Sequence, residues 1–230
     1  MSEQLAPIAV LGGTGNLGYG LAKRWAAAGR DVIIGSRSAE KAEAAAAEIR
    51  ATLKPRGGAA KVGSLRGADN LAASSEAGIV TLTVPFASQA STLEGIKAAL
   101  AGKILIDTTV PLMPPKVMRV QLPKEGSAAR IAQNIVGESV KVVSAFHNVA
   151  ADLLRGDDEL DCDVLVFGDN KDAREAVVAL AELAGLRAFH SGSLDNSAAA
   201  EALTSVMIFL NKQYNGHAGI RITGVGKGGA

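Results

Sequence analysis

The stretch Ile8-Ala-Val-Leu-Gly-Gly-Thr-Gly-Asn-Leu-Gly18 decides the fold. It contains G-x-G-x-x-G at Gly13, Gly15 and Gly18, directly after an apolar run and directly before a helical pattern. In that context Gly13 permits a tight turn, Gly15 lets the backbone approach a pyrophosphate, and Gly18 lets the helix pack on the strand. The stretch predicts a dinucleotide site at the start of a helix. The alternative is a glycine-rich turn without a ligand.

The end of the next predicted strand indicates which dinucleotide is bound. That strand, Asp31 to Gly35, is followed by Ser36 and Arg37, where an NAD site would place a carboxylate for the ribose 2′-hydroxyl. A guanidinium pairs with a 2′-phosphate, and Lys41 can reach the same phosphate from the following helix. NADP is therefore predicted rather than NAD. The alternative is that Arg37 and Lys41 are solvated charges at a helix start.

Composition excludes several classes of protein. A net charge of +1 without a basic stripe argues against nucleic acid as a partner, and aromatic residues make up only 3% of the chain. Cys162 is the single cysteine, so one chain can form neither a disulfide nor a cysteine zinc site, and we expect a small buried side chain. Glu3 and Pro7 interrupt the only candidate signal peptide, and no apolar run reaches membrane length. We expect a cytoplasmic protein without a membrane partner.

Strand and helix patterns alternate along the first half of the chain, which predicts an α/β fold with a Rossmann-type, doubly wound parallel sheet. The third strand is expected near Lys61 to Ser64, and residues 108–127 as an irregular excursion rich in proline. A long apolar helix, about Ser197 to Tyr214, is expected to be buried against the sheet or in a subunit interface. We predict an NADP-binding domain over residues 1–150. A smaller C-terminal helical and α/β appendage, residues 151–230, would pack on it and complete the second-substrate site.

Two further segments follow predicted strands and should lie at the same edge of the sheet as the glycines. They are Val84-Pro85-Phe86 and Phe146-His147-Asn148-Val149. Phe86 either walls the cofactor or only packs, and His147 is either an acid–base group or structural. The chain has no Tyr-x-x-x-Lys and no zinc motif. Because transfer between two ring cofactors depends on orientation more than on a proton donor, we predict no catalytic acid or base, no metal, and a cofactor-to-cofactor oxidoreductase.

Five motifs recur together in one known family. They are G-G-T-G-N-L-G-x-G from Gly12, G-S-R-x-x-E-K-A from Gly35, T-V-P-F from Thr83, V-S-A-F-H from Val143, and the tail from Glu201 to Gly216. With them the chain resembles the NADPH-dependent coenzyme F420 reductases over nearly its whole length. The resemblance implies reversible, direct hydride transfer between NADPH and the deazaflavin coenzyme F420, its two small-molecule partners. An NADPH-dependent flavin or ferric reductase and a non-enzymatic NADP sensor are the alternatives.

The resemblance also implies roles for individual residues. Thr14, Gly15, Asn16 and Leu17 would hold the pyrophosphate, and Ser36, Arg37 and Lys41 the 2′-phosphate. Val149 and Ala151, after His147, would line the stacked rings. Leu203 and Thr204 in the last helix would contribute to the deazaflavin pocket, and that helix to a homodimer. The predicted cofactor-binding set is Gly13, Thr14, Gly15, Asn16, Leu17, Gly18, Ser36, Arg37, Lys41, Val84, Pro85, Phe86, His147, Val149 and Ala151.

Overall fold

The structure, a computed structural model, describes residues 5–225. Its strands are β1 (Ile8–Leu11), β2 (Val32–Ser36), β3 (Leu65–Asp69), β4 (Ile79–Leu82), β5 (Ile104–Asp107), β6 (Lys141–Ser144), β7 (Asp163–Gly168) and β8 (Arg187–His190). The helices are α1 (Asn16–Ala27), α2 (Ala39–Thr52), α3 (Asn70–Glu76), α4 (Phe86–Ile96), α5 (Ala128–Val136), α6 (Ala151–Arg155), α7 (Lys171–Leu183) and α8 (Ser197–Tyr214). Short 3₁₀ turns cover Lys97–Leu100 and Leu194–Asn196.

All eight strands form one sheet in the order β3-β2-β1-β4-β5-β6-β7-β8. The first six strands are parallel, and their order is that of a Rossmann fold. Strand β1 is third in this order, with Leu11 opposite Gly35 of β2 and Leu82 of β4. The predicted doubly wound α/β fold is confirmed.

Strand β7 departs from the predicted parallel sheet, because it runs antiparallel to β6. The connection from β6 to β7 starts and ends on the carboxyl side of the sheet, so the chain must return in the opposite direction. The β6–β7 pairing is short: it joins Val143 to Gly168 and Ser144 to Phe167. Strand β8 then pairs parallel to β7 after the crossover through α7.

Both faces of the sheet are buried, as expected for parallel strands. Ile8 and Val10 of β1 face a layer that contains Trp25, and Ala9 and Leu11 face a layer that contains Leu93. The first layer is built by α1, α2 and α7, and the second by α3, α4 and α5.

The third strand was predicted in the wrong place. It spans Leu65–Asp69 and not residues 61–64, and its sequence, L-R-G-A-D, is poor in β-branched residues. Gly67 is required there, because a Cβ would overlap backbone atoms of Ala42 and Glu43 in α2. The close approach of α2 therefore explains why β3 contains Gly67, although glycine weakens the strand pattern.

The last helix has the predicted bounds, and one of its faces is exposed in the single chain. Val206, Phe209, Leu210 and Tyr214 are all exposed within one chain, whereas Glu201 is almost completely buried. The segment 108–127 is irregular, as predicted, and Ser205 Oγ donates to Arg119 O at 3.3 Å, which ties the excursion to α8. Within residues 5–225, no helix has the length and apolar character that crossing a membrane requires.

Two buried side chains of α1 connect the first strands to the C-terminal part of the chain. The guanidinium of Arg24 donates to the carbonyls of Leu154, Ala184, Gly156 and Asp158 at 2.9–3.0 Å and to that of Leu153 at 3.4 Å. Trp25 Nε1 donates to Leu180 O at 2.8 Å. These bonds hold the connection before β7 and the end of α7 against α1.

Candidate functional site

The glycine loop after β1 has the geometry of a phosphate-binding turn, with one correction to the prediction. The positive φ falls on Gly12, at +82°, and not on Gly13. Gly12 N–H still donates to Gly35 O of β2 at 3.0 Å, so the chain leaves the sheet only after this residue. Gly13 must lack a side chain for a different reason, since a Cβ there would lie 2.8 Å from Ile34 Cγ2.

The start of α1 is open to an anion. Its N-cap is Gly15, which provides no side-chain cap, and the first turn contains no acidic residue. A Cβ at Gly15 would meet nothing closer than 3.4 Å, so the space beside its backbone is free within the described chain. The positive end of the helix dipole therefore faces this space. The close packing expected at Gly18 is present, because a Cβ there would overlap Thr83 Oγ1.

Asn16 and Leu17 are positioned differently from the glycines. The Asn16 side chain donates to Asp152 Oδ1 at 2.6 Å and accepts from Arg155 at 3.0 Å, so it is held by α6. The half-buried Leu17 packs against the hydrophobic core. If these two residues hold a pyrophosphate, they do so with their backbone N–H groups.

Ser36 and Arg37 lie directly beside the glycine loop at the carboxyl end of β2. Ser36 is half-buried and Arg37 exposed, and Lys41 follows in the first turn of α2, where its N–H donates to Ser38 Oγ at 3.3 Å. Among residues 5–225, neither Arg37 nor Lys41 forms an ion pair with a carboxylate. The arrangement offers two unpaired cations at the place where an NAD site carries an acid.

A cavity of about 250 Å³ lies between the glycine loop, the end of β2 and the start of α4. It brings together Thr14, Gly15, Ser36, Arg37, Val84 and Pro85 of the predicted residues, whereas Lys41 and Phe86 do not line it. Sequence reasoning missed the other lining residues, which are Gly12, Asn70, Thr83, Ser88, Ser91 and Thr92. Asn70 Oδ1 is buried and finds no partner in the described chain. The polar residues Ser88, Ser91 and Thr92 on one face of α4 were the available signal.

The segment after β6 forms a second part of the site. Phe146 adopts a φ of +67°, and Asn148 Nδ2 donates to Ala200 O at 2.9 Å and to Thr204 Oγ1 at 3.1 Å. Thr204 Oγ1 in turn donates to His147 O at 3.1 Å. These hydrogen bonds fix the turn that contains His147 to α8, and the Thr204 hydroxyl takes part in two of them.

Val149 lines a separate cavity of about 160 Å³ between α6 and residues 217–219. Ala150, Leu153, Leu160 and Cys162 also line it, and Ala151 does not. Cys162 is buried as predicted, and burial raises the pKa of its thiol, so it remains a neutral part of the wall. Leu203 is half-buried on α8 and lies in neither cavity.

His147 is buried as a neutral imidazole. Desolvation lowers its pKa from 6.5 to about 4, because the charged form loses water and gains no counter-charge. Its Nε2 lies 3.3 Å from Ser144 Oγ, and its Nδ1 has no hydrogen-bond partner among residues 5–225. An unpaired buried nitrogen is costly unless a ligand or water completes it.

Behind His147 lies a network of buried polar groups that the sequence analysis did not predict. Ser144 Oγ contacts Ser197 Oγ, and Ser197 Oγ donates to Glu201 Oε1 at 2.7 Å. The Glu201 carboxylate also accepts from the N–H groups of Ala128 at 2.7 Å and Ala129 at 3.2 Å. Desolvation raises the pKa of Glu201 to about 7. The signal in the sequence was a single acid within an otherwise apolar helical pattern.

Asp107, at the end of β5, is a second buried acid near this network. It accepts from Gln89 Nε2 at 2.6 Å and from Thr109 N at 2.9 Å, and burial raises its pKa to about 6. Within the described residues, no three His, Cys, Asp or Glu side chains are grouped so that they could hold a metal ion. The groups described above offer hydrogen bonding, anion binding and proton storage.

Comparison with known proteins identifies the family. Residues 7–111 match the family model described as NADP oxidoreductase, coenzyme F420-dependent. The F420-dependent NADP reductase of Methanocaldococcus jannaschii is 42% identical over 222 residues, which cover 94% of this chain and 97% of that protein. The F420-dependent NADP reductase of Methanothermobacter marburgensis is also 42% identical, over 228 residues, with the same coverage of each chain.

A solved structure extends the similarity to the fold. A protein of Arthrobacter sp. FB24, provisionally described as an F420-dependent NADP reductase, superposes with a TM-score of 0.72. It is 26% identical, and the match covers 92% of this chain and 96% of that one. The loop geometry, the cationic end of β2 and the full-length similarity agree, and the chain belongs to the F420-dependent NADP reductase family.

Proposed function

We propose that this protein transfers a hydride reversibly between NADPH and the deazaflavin coenzyme F420. One observation carries the proposal: the glycine loop, Ser36 and Arg37 line a single cavity, and no carboxylate stands at the end of β2. The names of the relatives at 42% identity supply the second coenzyme. They also make a deazaflavin acceptor a better fit than a flavin or a ferric ion.

The residues present fit NADP. Gly15 leaves open space at the uncapped start of α1, where the backbone N–H groups of Asn16 and Leu17 would meet the pyrophosphate. Arg37 and Ser36 would bind the 2′-phosphate, and Lys41 would add charge from α2. Asn70 also lines this cavity, and its buried Oδ1 has no partner among the described residues, so it would be available to accept a hydrogen bond from the adenosine half. Val84 and Pro85 would form the apolar wall, and Phe86 is the first residue of α4.

The second ring would lie near the turn after β6. Val149 provides an apolar surface, Ala151 starts the adjacent helix, and Leu203 is presented from α8. When both coenzymes are bound, the two rings supply the hydride donor and acceptor. The residues around them would orient the rings and exclude water, and orientation supplies most of the catalysis in transfer between ring cofactors. The neutral His147, with Nδ1 unpaired, offers one hydrogen-bonding position in this region.

The active assembly that we propose is a homodimer formed through α8. Val206, Phe209, Leu210 and Tyr214 are exposed on this helix, and Met118 and Val120 of the neighbouring excursion are exposed as well. Apolar side chains clustered on one surface are typical of subunit interfaces. We also retain the division of the chain at residue 150, because the segment after it returns over α1 before it joins the sheet.

The test is a spectrophotometric assay with NADPH and three acceptors: F420, FMN and a ferric chelate. We expect loss of the deazaflavin absorbance with F420 and little reduction of the other two. Reduction of FMN but not of F420 would overturn the proposal in favour of a flavin reductase. Tight NADPH binding without reduction of any acceptor would instead identify an NADP sensor.

A further inference from the structure

The hydrogen bonds behind His147 form an unbranched chain that ends at a carboxylate. Nε2 of His147 meets Ser144 Oγ, Ser144 Oγ meets Ser197 Oγ, and Ser197 Oγ meets Glu201 Oε1. Both serine side chains are buried, at 0% exposure, so water does not compete for these hydroxyls. Each hydroxyl has one proton to donate, and the direction of donation must therefore be the same along the chain.

We propose that Glu201 sets the tautomer of His147 through Ser197 and Ser144. When Glu201 is ionised, it accepts from Ser197, Ser197 accepts from Ser144, and Ser144 accepts from an N–H at Nε2. Nδ1 then has a free lone pair. When Glu201 is protonated, every bond in the chain reverses, Ser144 donates to Nε2, and the ring proton is on Nδ1.

The two states differ by one proton, and Glu201 is the only residue along the chain whose charge differs between them. A proton taken up at Nδ1 releases the Nε2 proton to Ser144 Oγ, the Ser144 proton passes to Ser197 Oγ, and the Ser197 proton passes to Glu201 Oε1. The imidazole is neutral before and after the transfer, and the carboxylate becomes a carboxylic acid. The relay thus stores a proton at Glu201 and exchanges it at Nδ1.

The surroundings of Glu201 favour such storage near neutral pH. Burial and the nearby Asp107 carboxylate raise the pKa of Glu201 to about 7, and the two N–H groups of α5 oppose this rise. Arg130 on α5 does not offset the charge, because its guanidinium pairs with Asp195 and Asp169. Burial keeps the His147 ring from becoming a cation. Within the described chain, no ionisable group other than Asp107 acts on the Glu201 carboxylate.

The consequence concerns the coenzyme site and rests on the proposed function. Nδ1 is the one unpaired ring atom of His147. Ionised Glu201 makes Nδ1 an acceptor for an amide N–H, such as a carboxamide. Protonated Glu201 makes it a donor to a ring carbonyl or to an oxygen that gains negative charge. Reduction of a deazaflavin by NADPH takes up one proton besides the hydride, so a proton stored at Glu201 would balance the overall reaction.

The experiment reads the tautomer directly in the coenzyme-free protein. Nitrogen-15 NMR of histidine-labelled protein distinguishes protonated from bare ring nitrogens, and the chain has only three histidines. His147→Asn assigns the signals, with His190 and His217 as exposed references. Between about pH 8.5 and about pH 5.5 we expect His147 to change from the Nε2–H to the Nδ1–H tautomer, with a midpoint near 7 and a neutral ring throughout.

Variants separate the relay from simple burial. Glu201→Gln removes the group that gains and loses the stored proton, so the His147 tautomer should be the same at both pH values. Ser197→Ala removes one hydroxyl from the chain, so the tautomer should become independent of pH. Glu182→Gln, the same change on an exposed face of α7, should leave the transition in place. Circular dichroism checks folding, and Ser197→Ala carries the test if Glu201→Gln does not fold.

An unchanged tautomer in the wild type across this range, or a transition that persists in Ser197→Ala, would overturn the relay. Neither result depends on activity with NADPH or F420. Loss of the proposed activity with a normal transition would contradict the function and leave the relay intact.

Discussion

Thr83 Oγ1 lies where a side chain at Gly18 would begin, and it is fixed there because it donates to Leu11 O at 2.8 Å. Gly18→Ala should therefore push α1 away from β4 and move the glycine loop. We expect a loss of about 1–3 kcal/mol in unfolding free energy, which is typical of overpacking, together with weaker NADPH binding. Chemical denaturation and a coenzyme titration measure both.

The control is Gly95→Ala in α4, where an added Cβ would meet nothing within 4 Å. Because alanine is a better helix former, this variant should be more stable than the wild type by roughly 0.5–1 kcal/mol. Equal effects of the two substitutions would show that Gly18 is not held by packing.

Arg37→Ala should weaken the use of NADPH far more than that of NADH. A charge-assisted bond to a phosphate contributes about 1.5–3 kcal/mol, which corresponds to roughly a 10- to 100-fold rise in KM. Lys97→Ala removes one exposed positive charge elsewhere and should change neither constant. Steady-state kinetics with both coenzymes measures the two KM values. An equal rise in KM for NADPH and NADH would show that Arg37 does not bind the 2′-phosphate.

Arg24→Lys should be strongly destabilising although it preserves the charge. The guanidinium reaches five carbonyls from one buried position, and an ammonium cannot reproduce that fork. We expect a loss of about 3 kcal/mol or more, because buried acceptors lose their donors. Arg30→Lys is the matched control, since Arg30 has one carbonyl contact, to Ala6 O at 3.1 Å, and should lose little. A small effect of both changes in urea denaturation would contradict this role.

Stability should depend on pH through Glu201. Its pKa rises from an ordinary 4.5 to about 7 in the folded protein, so the folded state binds more protons between these values. Stability is therefore highest below about 4.5 for this group and falls as the pH rises towards 7, by an amount on the order of 3 kcal/mol. Asp107 contributes in the same direction up to about 6.

His147 has the opposite effect on the pH dependence of stability, between about pH 4 and pH 6.5. Its pKa is lowered from 6.5 to about 4, so stability from this group is lost as the pH falls through that interval. Comparison of the wild type with Glu201→Gln cancels that contribution. The variant should gain relative stability as the pH rises from about 4.5 to about 7, and parallel stability curves would contradict the raised pKa of Glu201.

Phe209→Glu should dissociate the proposed homodimer. Phe209 is 50% exposed within one chain, and a carboxylate in an apolar interface would lose its hydration. Leu71→Glu, at a similarly exposed residue of α3, should leave the assembly unchanged. Light scattering after size-exclusion chromatography gives the mass, and a wild type that elutes as a monomer would refute the proposed assembly.

The elements of the fold were predicted correctly from the sequence wherever a local pattern determines the structure. The glycines and the apolar run before them predicted the first strand and helix, because these signals depend on neighbours within a few residues. The direction of β7 was not accessible, since the same apolar strand pattern serves parallel and antiparallel pairing. Strand β3 was predicted in the wrong place because it contains Gly67, which weakens the strand pattern. Gly67 is required by the close approach of α2, which is distant in sequence.

Only part of the site was predicted, because local patterns indicate some of its residues and not others. Thr14, Ser36 and Arg37 belong to a contiguous motif, and they meet in one cavity. The network of Glu201 joins residues 53 positions apart, Ser144 and Ser197, and nothing in local sequence indicates that they touch. Folding alone brings them together, which is why this buried acid escaped prediction.

The short pairing of β6 with β7 divides the backbone hydrogen bonds of the sheet into two blocks, which share only the contacts at Val143 and Ser144. Helix α1 joins the blocks through Arg24 and Trp25, and the same helix begins at the glycine loop. A ligand that binds at that end requires α1 to be in place, and so it adds RT ln(1 + [L]/Kd) to the free energy that keeps the C-terminal block docked. We therefore expect the C-terminal block of the sheet to be held more firmly against the rest of the protein as the coenzyme concentration rises.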